Sequence, residues 1–242
     1  MEMRPIRAAA ILDAGHPCSD CAVRLLAICG VLGGDELREF KASGATVKRA
    51  AGETIFFEGD PASHVYNLTS GVLRLSKLLP DGRRQIAGFL FPGDFLGITM
   101  EDEHAFTAEA ITSATLCQFS RARFDGFVDT HPLLERRLYA IAAHELAAAR
   151  QQLVLLGRKT AAERVASFLL MLDARQRLSC SDDGEDITLP MSRADIADYL
   201  GLRIETISRE LSALKASRLI RLTTTQTVRL VDRELLEQLA EG

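Results

Sequence analysis

The chain has 242 residues, a formal net charge of −4 and 47% hydrophobic residues, enough apolar material for one or two packed domains. A sequence pI near 5.8 excludes a protein that coats polyanions over its whole surface, so any nucleic-acid contact has to come from a local patch. There is no signal-peptide-like apolar region and no run of ~18 apolar residues, which leads us to expect a soluble, cytoplasmic protein; five cysteines in that compartment point to metal or redox chemistry rather than a disulfide scaffold.

Residues 1–30 form a segment marked by cysteines: Cys18-Ser-Asp-Cys21, then Cys29 after a gap of seven residues. Residues 31–130 read as a β domain. Gly59, Gly71, Gly82 and Gly93 fall 12, 11 and 11 residues apart, each beside Asp, Pro or Ser, with apolar runs such as Thr54–Phe57, Val72–Leu75 and Gln85–Phe91 between them. Short strands at even spacing with turn signals indicate a compact sandwich or barrel. Pro80-Asp81-Gly82 is a turn, with φ fixed at proline and positive φ open to glycine. Cys117 falls on what reads as the last strand. Three clustered thiols and one distant thiol can supply four ligands to an iron–sulfur cluster or to a tetrahedral zinc ion. Equally, Cys29 and Cys117 could be small buried hydrophobes. Cys180 is left over, at most a redox-exposed thiol.

A long helix is expected from about Pro132 to Leu156, within a 131–157 segment. Proline suits its first position. Tyr139, Ala142, Leu146, Ala149, Leu153 and Leu156 recur in steps of three and four, an unbroken stripe that suits a seam between two chains or packing on the β domain. Thr160-Ala-Ala-Glu163 is a capping box opening another helix to about Arg177, and Ser181–Asp186 is an acidic loop.

Residues 158–242 carry the densest signal. Ser192-Arg-Ala-Asp-Ile-Ala-Asp-Tyr-Leu200 reads as a helix capped by Ser192 with Asp195 at its third position, and Gly201 permits a sharp turn. In the next helix Ile204, Ile207, Leu211 and Leu214 make one apolar face, while Glu205, Ser208 and Arg209 share another. An arginine there can fork onto a guanine, and a glutamate can accept from cytosine N4. Arg218–Val231 reads as two short strands around a polar turn, the wing of a winged helix. Across 203–221 five cations (Arg203, Arg209, Lys215, Arg218, Arg221) stand against Glu205 and Glu210, a local +3 in an acidic chain.

Together these parts resemble the CRP/FNR family of bacterial transcription regulators over nearly the whole chain. The resemblance rests on Gly93-Asp-Phe-Leu-Gly97, the long helix and Met191–Arg209. It implies an α+β fold: an N-terminal β-roll or jelly-roll sensor domain, a long dimerisation helix, and a C-terminal winged helix-turn-helix in a homodimer. Glu205-Thr-Ile-Ser-Arg209 matches the FNR/FixK branch, which implies that Glu205, Ser208 and Arg209, flanked by Thr206 and Arg203, contact a TTGAT-N4-ATCAA-like palindrome in double-stranded DNA. Two recognition helices would enter major grooves about 34 Å apart. Cys18, Cys21, Cys29 and Cys117 match the places where FNR-type oxygen sensors hold one [4Fe-4S] cluster per chain, with the longer gap before Cys29 as in regulators of the FnrN and AadR type. The implied function is activation of anaerobic or microaerobic genes in response to oxygen. Loops near Pro80–Arg84 and Ser181–Asp186 are implied RNA polymerase contacts, and no membrane partner is expected.

No cyclic nucleotide is expected. Family members that bind one need an arginine for its phosphate soon after the Gly-Asp element, yet no Arg or Lys occurs between Asp94 and Ser120, where Glu101, Asp102, Glu103 and Glu109 stand instead. A buried phosphate without a cation is poorly held. Two alternatives stay open. One is a FixK-like regulator of the same fold without a cluster, its cysteines idle, zinc-loaded or responding as thiols. The other is a thiol-redox enzyme using Cys18 and Cys21, disfavoured because the pair does not open a helix in a βαβ setting. No Walker, dinucleotide-binding or catalytic-triad pattern is present, so an enzyme is not expected.

Overall fold

The computed structural model describes residues 15–179 and 186–242. Cys180 and positions 181–185 of the acidic loop lie outside them. The chain divides into two compact units, one of residues up to 77 with 89–145, the other of 78–88 with 146–242.

The first unit opens with turns at 15–26 and a 3-10 turn, Ile28–Val31, before helix α1 (Gly34–Ala42). Eight strands follow along the chain, the last residue of β4 and most of β5 being counted with the second unit: β1 (Gly44–Arg49), β2 (Thr54–Phe56), β3 (His64–Ser70), β4 (Leu73–Leu78), β5 (Arg84–Leu90), β6 (Phe95–Leu96), β7 (Thr107–Ala110) and β8 (Ala114–Ser120). They form two four-stranded sheets, ordered β1-β8-β3-β6 and β2-β7-β4-β5. The turn at Pro80–Gly82 forms as expected, with Gly82 at φ +83°.

Strand alternation builds two cores back to back. Tyr66, Leu68 and Leu116 face inward with Leu73, Leu90 and Ala108. Val65 and Phe119 face the other way, into a second cluster with Ile28, Leu37, Phe40, Phe124, Phe127 and Leu134. That second cluster draws on α1, α2 (Arg121–Thr130) and the start of α3 (Pro132–Arg158). Phe40 stacks on Phe119 with centroids 4.3 Å apart. Each such buried ring contributes roughly 1.5–3 kcal/mol. It is this outer cluster that draws the N-terminal turns onto the sheet.

The expected long helix is the 27-residue α3. Leu138 and Ile141 pack against the outer cluster, but the apolar stripe lies elsewhere. Tyr139 is 78% exposed and Leu153 72%, and Leu146 is also open. Ala142 and Ala149 are exposed too, and only Leu156 is half-buried.

The second unit contains α4 (Ala161–Ser179), β9 (Asp186–Thr188), α5 (Arg193–Leu200), α6 (Ile204–Ala216), β10 (Ile220–Leu222), β11 (Thr227–Leu230) and α7 (Arg233–Glu241). The wing has a third strand, in the order β10-β11-β9. The capping box at Thr160 and Glu163 is present, each side chain accepting from the other's backbone N–H. Asp173 on α4 takes Arg177 at 2.9 Å and also pairs with Arg233 of α7.

Candidate cysteine pocket and DNA-reading helix

The sheet ladder brings distant residues to Cys117. On β1 its partner is Thr46, and on β3 it is Asn67. Residues facing the same way on antiparallel partners are neighbours, so Thr46, Cys117 and Asn67 form a row across three strands. The turns at 16–26 are held by local backbone bonds such as Cys21 N–H to Cys18 O and Arg24 N–H to Cys21 O. Arg137, buried on α3, donates to Leu26 O at 2.6 Å and holds the end of that segment.

All four expected cysteines line one pocket, together with Arg24, Lys41 and Asn67. None is in a disulfide. The space is narrow, about 20 Å³, room for a single water. Among the described residues no three His, Cys, Asp or Glu side chains converge on one metal-ion position; the sulfurs surround a space rather than meet at a point. Burial, reinforced by the neighbouring cysteines, pushes the Cys29 thiol up to about 12. Burial also raises Cys18, against the pull of Lys41. Lys41 Nζ donates to Cys117 Sγ at 3.2 Å and to Thr46 Oγ1 at 2.7 Å. Lys41, Asn67 and Arg24 were not expected from the sequence.

The helix-turn-helix forms as its local signals dictate. Ser192 Oγ accepts from Asp195 N–H at 3.1 Å, and Asp195 Oδ2 accepts from Ser192 N–H at 3.0 Å. Gly201 closes α5 in the left-handed region at φ +61°. Ile207, Leu211 and Leu214 are buried as expected. Ile204 is not: it is 48% exposed, because as the first residue of α6 it lies beyond the packing surface. Arg203, Glu205, Ser208 and Arg209 are all exposed on the opposite side, and Thr206 is half-buried. Lys215, Arg218 and Arg221 are exposed as well, so the five cations of this stretch all reach solvent. Arg218 takes φ +59° just after α6, a position where glycine is usual. At the other end of the unit, Arg84 donates to Asp195 Oδ1 at 2.7 Å and to Asp198 Oδ2 at 2.9 Å.

Residues 46–131 match the cyclic nucleotide-binding domain family, and residues 163–239 match the Crp-like helix-turn-helix domain family. The chain is 52% identical over 202 residues to the nitrogen fixation regulation protein FixK of Bradyrhizobium diazoefficiens, covering 83% of this chain and 84% of that one. The chain belongs to the Crp/FNR family of transcription regulators. A second Crp/FNR relative is the transcriptional activatory protein AadR of Rhodopseudomonas palustris, 43% identical over 228 residues, 93% of this chain and 94% of the other. Among solved structures, FixK2 from Bradyrhizobium japonicum superposes with a TM-score of 0.76 at 38% identity, covering 81% of this chain and 96% of that one.

Membership of the Crp/FNR family makes the chain a DNA-binding transcription regulator and not an enzyme. Among the described residues no helix is long and apolar enough to cross a membrane.

Proposed function

We propose that this regulator is a dimeric, oxygen-responsive activator of anaerobic or microaerobic genes, with a [4Fe-4S] cluster held by Cys18, Cys21, Cys29 and Cys117. The observation that carries this reading is that three cysteines near the N-terminus and one from β8 line a single pocket. The donor set fits the group. Four cysteine thiols are the ligand set that a [4Fe-4S] cluster would take, and here they border one space rather than one ion position. The pocket must widen to admit it. A bound cluster would supply an oxygen-labile tie between residues 18–29 and the sheet. The chain's own part is to bury the thiols, surround them with Lys41, Arg24 and Arg137, and anchor Leu26 through Arg137.

On the DNA side, Glu205, Ser208 and Arg209 read base edges of a TTGAT-N4-ATCAA-like palindrome, with Thr206 and Arg203 beside them. The α3 stripe, Tyr139, Ala142, Leu146, Ala149 and Leu153, all exposed, with the half-buried Leu156, is the seam between two copies. RNA polymerase is contacted near Pro80–Arg84, where Arg84 itself is engaged by Asp195 and Asp198. No cyclic nucleotide is used, since the stretch from Asp94 to Ser120 offers no cation.

The narrowness of the pocket and the 52% identity to a FixK protein favour a second reading: the same DNA-binding regulator with its cysteines acting as thiols. One experiment separates them. Protein purified without air is assayed for iron, sulfide and visible absorption. About four irons per chain with a broad band that bleaches in air is expected; colourless, iron-free protein that still binds the palindrome overturns the cluster reading and leaves the regulator intact.

A further inference from the structure

Asn67 lines the same pocket, and the reading above leaves its amide unused. It is 3% exposed, and its Oδ1 is buried without a hydrogen-bond partner among the described residues. An orphaned buried acceptor is costly, because it has given up water without gaining a partner. Its neighbours explain why it is tolerated. It stands directly across the ladder from Cys117 and lines the space that the four cysteines enclose. With no partner for its oxygen, nothing in the hydrogen-bond network fixes which end of the amide faces that space. Turned by half a rotation, it presents N–H donors to sulfur.

Lys41 approaches the same sulfur from the other flank, its ammonium 3.2 Å from Cys117 Sγ and braced by Thr46. Lys41 and Asn67 thus lie on either side of Cys117, one reaching over β1 and one rising from β3.

We propose that Asn67 and Lys41 are the donor shell of the thiolate-held group: positioning residues that hydrogen-bond Cys117 and the sulfur beside it and offset the charge of an anionic cluster buried there. The proposal rests on the cluster reading. Its physical basis is that a buried anion needs donors or cations around it, and that partners one shell outside the ligands govern how tightly such groups are held. Local sequence signals could not have found this pair, because Lys41 and Cys117 are 76 residues apart.

The test compares wild type with Asn67→Leu, Lys41→Met and the conservative Lys41→Arg, all prepared without air. Iron and sulfide are quantified first. Loaded proteins are then challenged anaerobically with an iron chelator, and the visible band is followed. Asn67→Leu and Lys41→Met should release iron roughly 10-fold faster, with Lys41→Arg close to wild type. The cluster-free proteins are melted alongside. Replacing an orphaned amide by an apolar group of similar shape is neutral or stabilising, so cluster-free Asn67→Leu should melt at or above wild type. Faster release with an undiminished melting point is the signature of a donor to the group; a merely structural amide would lower both. Loaded variants that release iron at the wild-type rate overturn the proposal alone. Wild type without iron or sulfide overturns the cluster reading, and the proposal with it.

Discussion

Helices α5 and α6 satisfy their own needs. Ser192 and Asp195 cap each other, Gly201 takes the one left-handed residue the turn requires, and the charged side chains of α6 point to solvent. The cysteine pocket does the reverse. It gathers four thiols, burial opposing ionisation at Cys18 and Cys29, keeps a buried oxygen without a partner among the described residues and leaves little room between them. One region matches its polar groups internally; the other, among the described residues, leaves one buried acceptor unmatched. The difference teaches where the two regions put their polar groups: the helix-turn-helix is preformed with its cations facing solvent, while the pocket turns its polar side chains inward among the cysteines.

If the reading surface is preformed, its outward residues can be removed without disturbing the fold, and this gives the largest expected effect. Arg209, whose side chain is 72% exposed with Glu210 Oε1 at 3.6 Å, should when replaced by Ala cost roughly 1–3 kcal/mol of affinity for the palindrome and relax discrimination at one base pair per half-site. The thermal midpoint should not move. Titrations against the palindrome and its single-base variants check this. Unchanged discrimination would remove Arg209 from the readout, and a lowered midpoint would break the separation of fold from reading surface.

The same contrast governs what was legible in the sequence. The helix-turn-helix is specified by neighbours in sequence: a capping pair three residues apart, a glycine at the turn, apolar residues in steps of three and four. Its errors are local as well. Ile204 matches the apolar period but falls off the end of the buried face, and β9, only Asp186-Ile187-Thr188, becomes a strand because β11 pairs with it. Helices α1 and α2 leave no periodic signal in the sequence because each buries only two residues, Leu37 with Phe40 and Phe124 with Phe127. In the pocket the cysteines could be listed by chemistry, but that they meet depends on β8 lying between β1 and β3. Lys41 and Asn67 have no local signature at all; they matter only through the register that sets them beside Cys117.

A smaller effect is expected at Arg218. Its φ of +59° costs a non-glycine residue about 1–2 kcal/mol, and the side chain is exposed. Arg218→Gly relieves the strain and forgoes a cation in the basic stretch, with part of the gain returned through the greater freedom of glycine in the unfolded chain. The variant should be more stable by up to about 1 kcal/mol, yet bind all DNA sequences more weakly, with a salt dependence shallower by about one phosphate contact. Denaturant melts and binding at several salt concentrations read the two changes separately. A gain in stability with an unchanged salt slope would show that Arg218 does not face phosphate.

The smallest effect lies on the fold side of the same division. Asp173 joins α4 to α7, facing Arg177 from its own helix and Arg233 from the other. Burial raises its pKa, but the hydrogen bonds from those two arginines outweigh burial and hold the carboxyl below its ordinary value. A carboxylate whose pKa is lower folded than unfolded contributes stability that is complete above the unfolded value, near 3.9, and is lost as pH falls through the folded one. Asp173→Asn should therefore melt below wild type at neutral pH, with the gap constant down to about pH 4 and closing under further acidification. DNA affinity at neutral pH should be unaffected where the variant is folded, because Asp173 is buried between helices and carries none of the reading surface. A gap that persisted at the acid end would mean that Asp173 acts through packing rather than charge; a loss of affinity in the folded variant would mean that the α4–α7 junction and the reading helix are not separable after all.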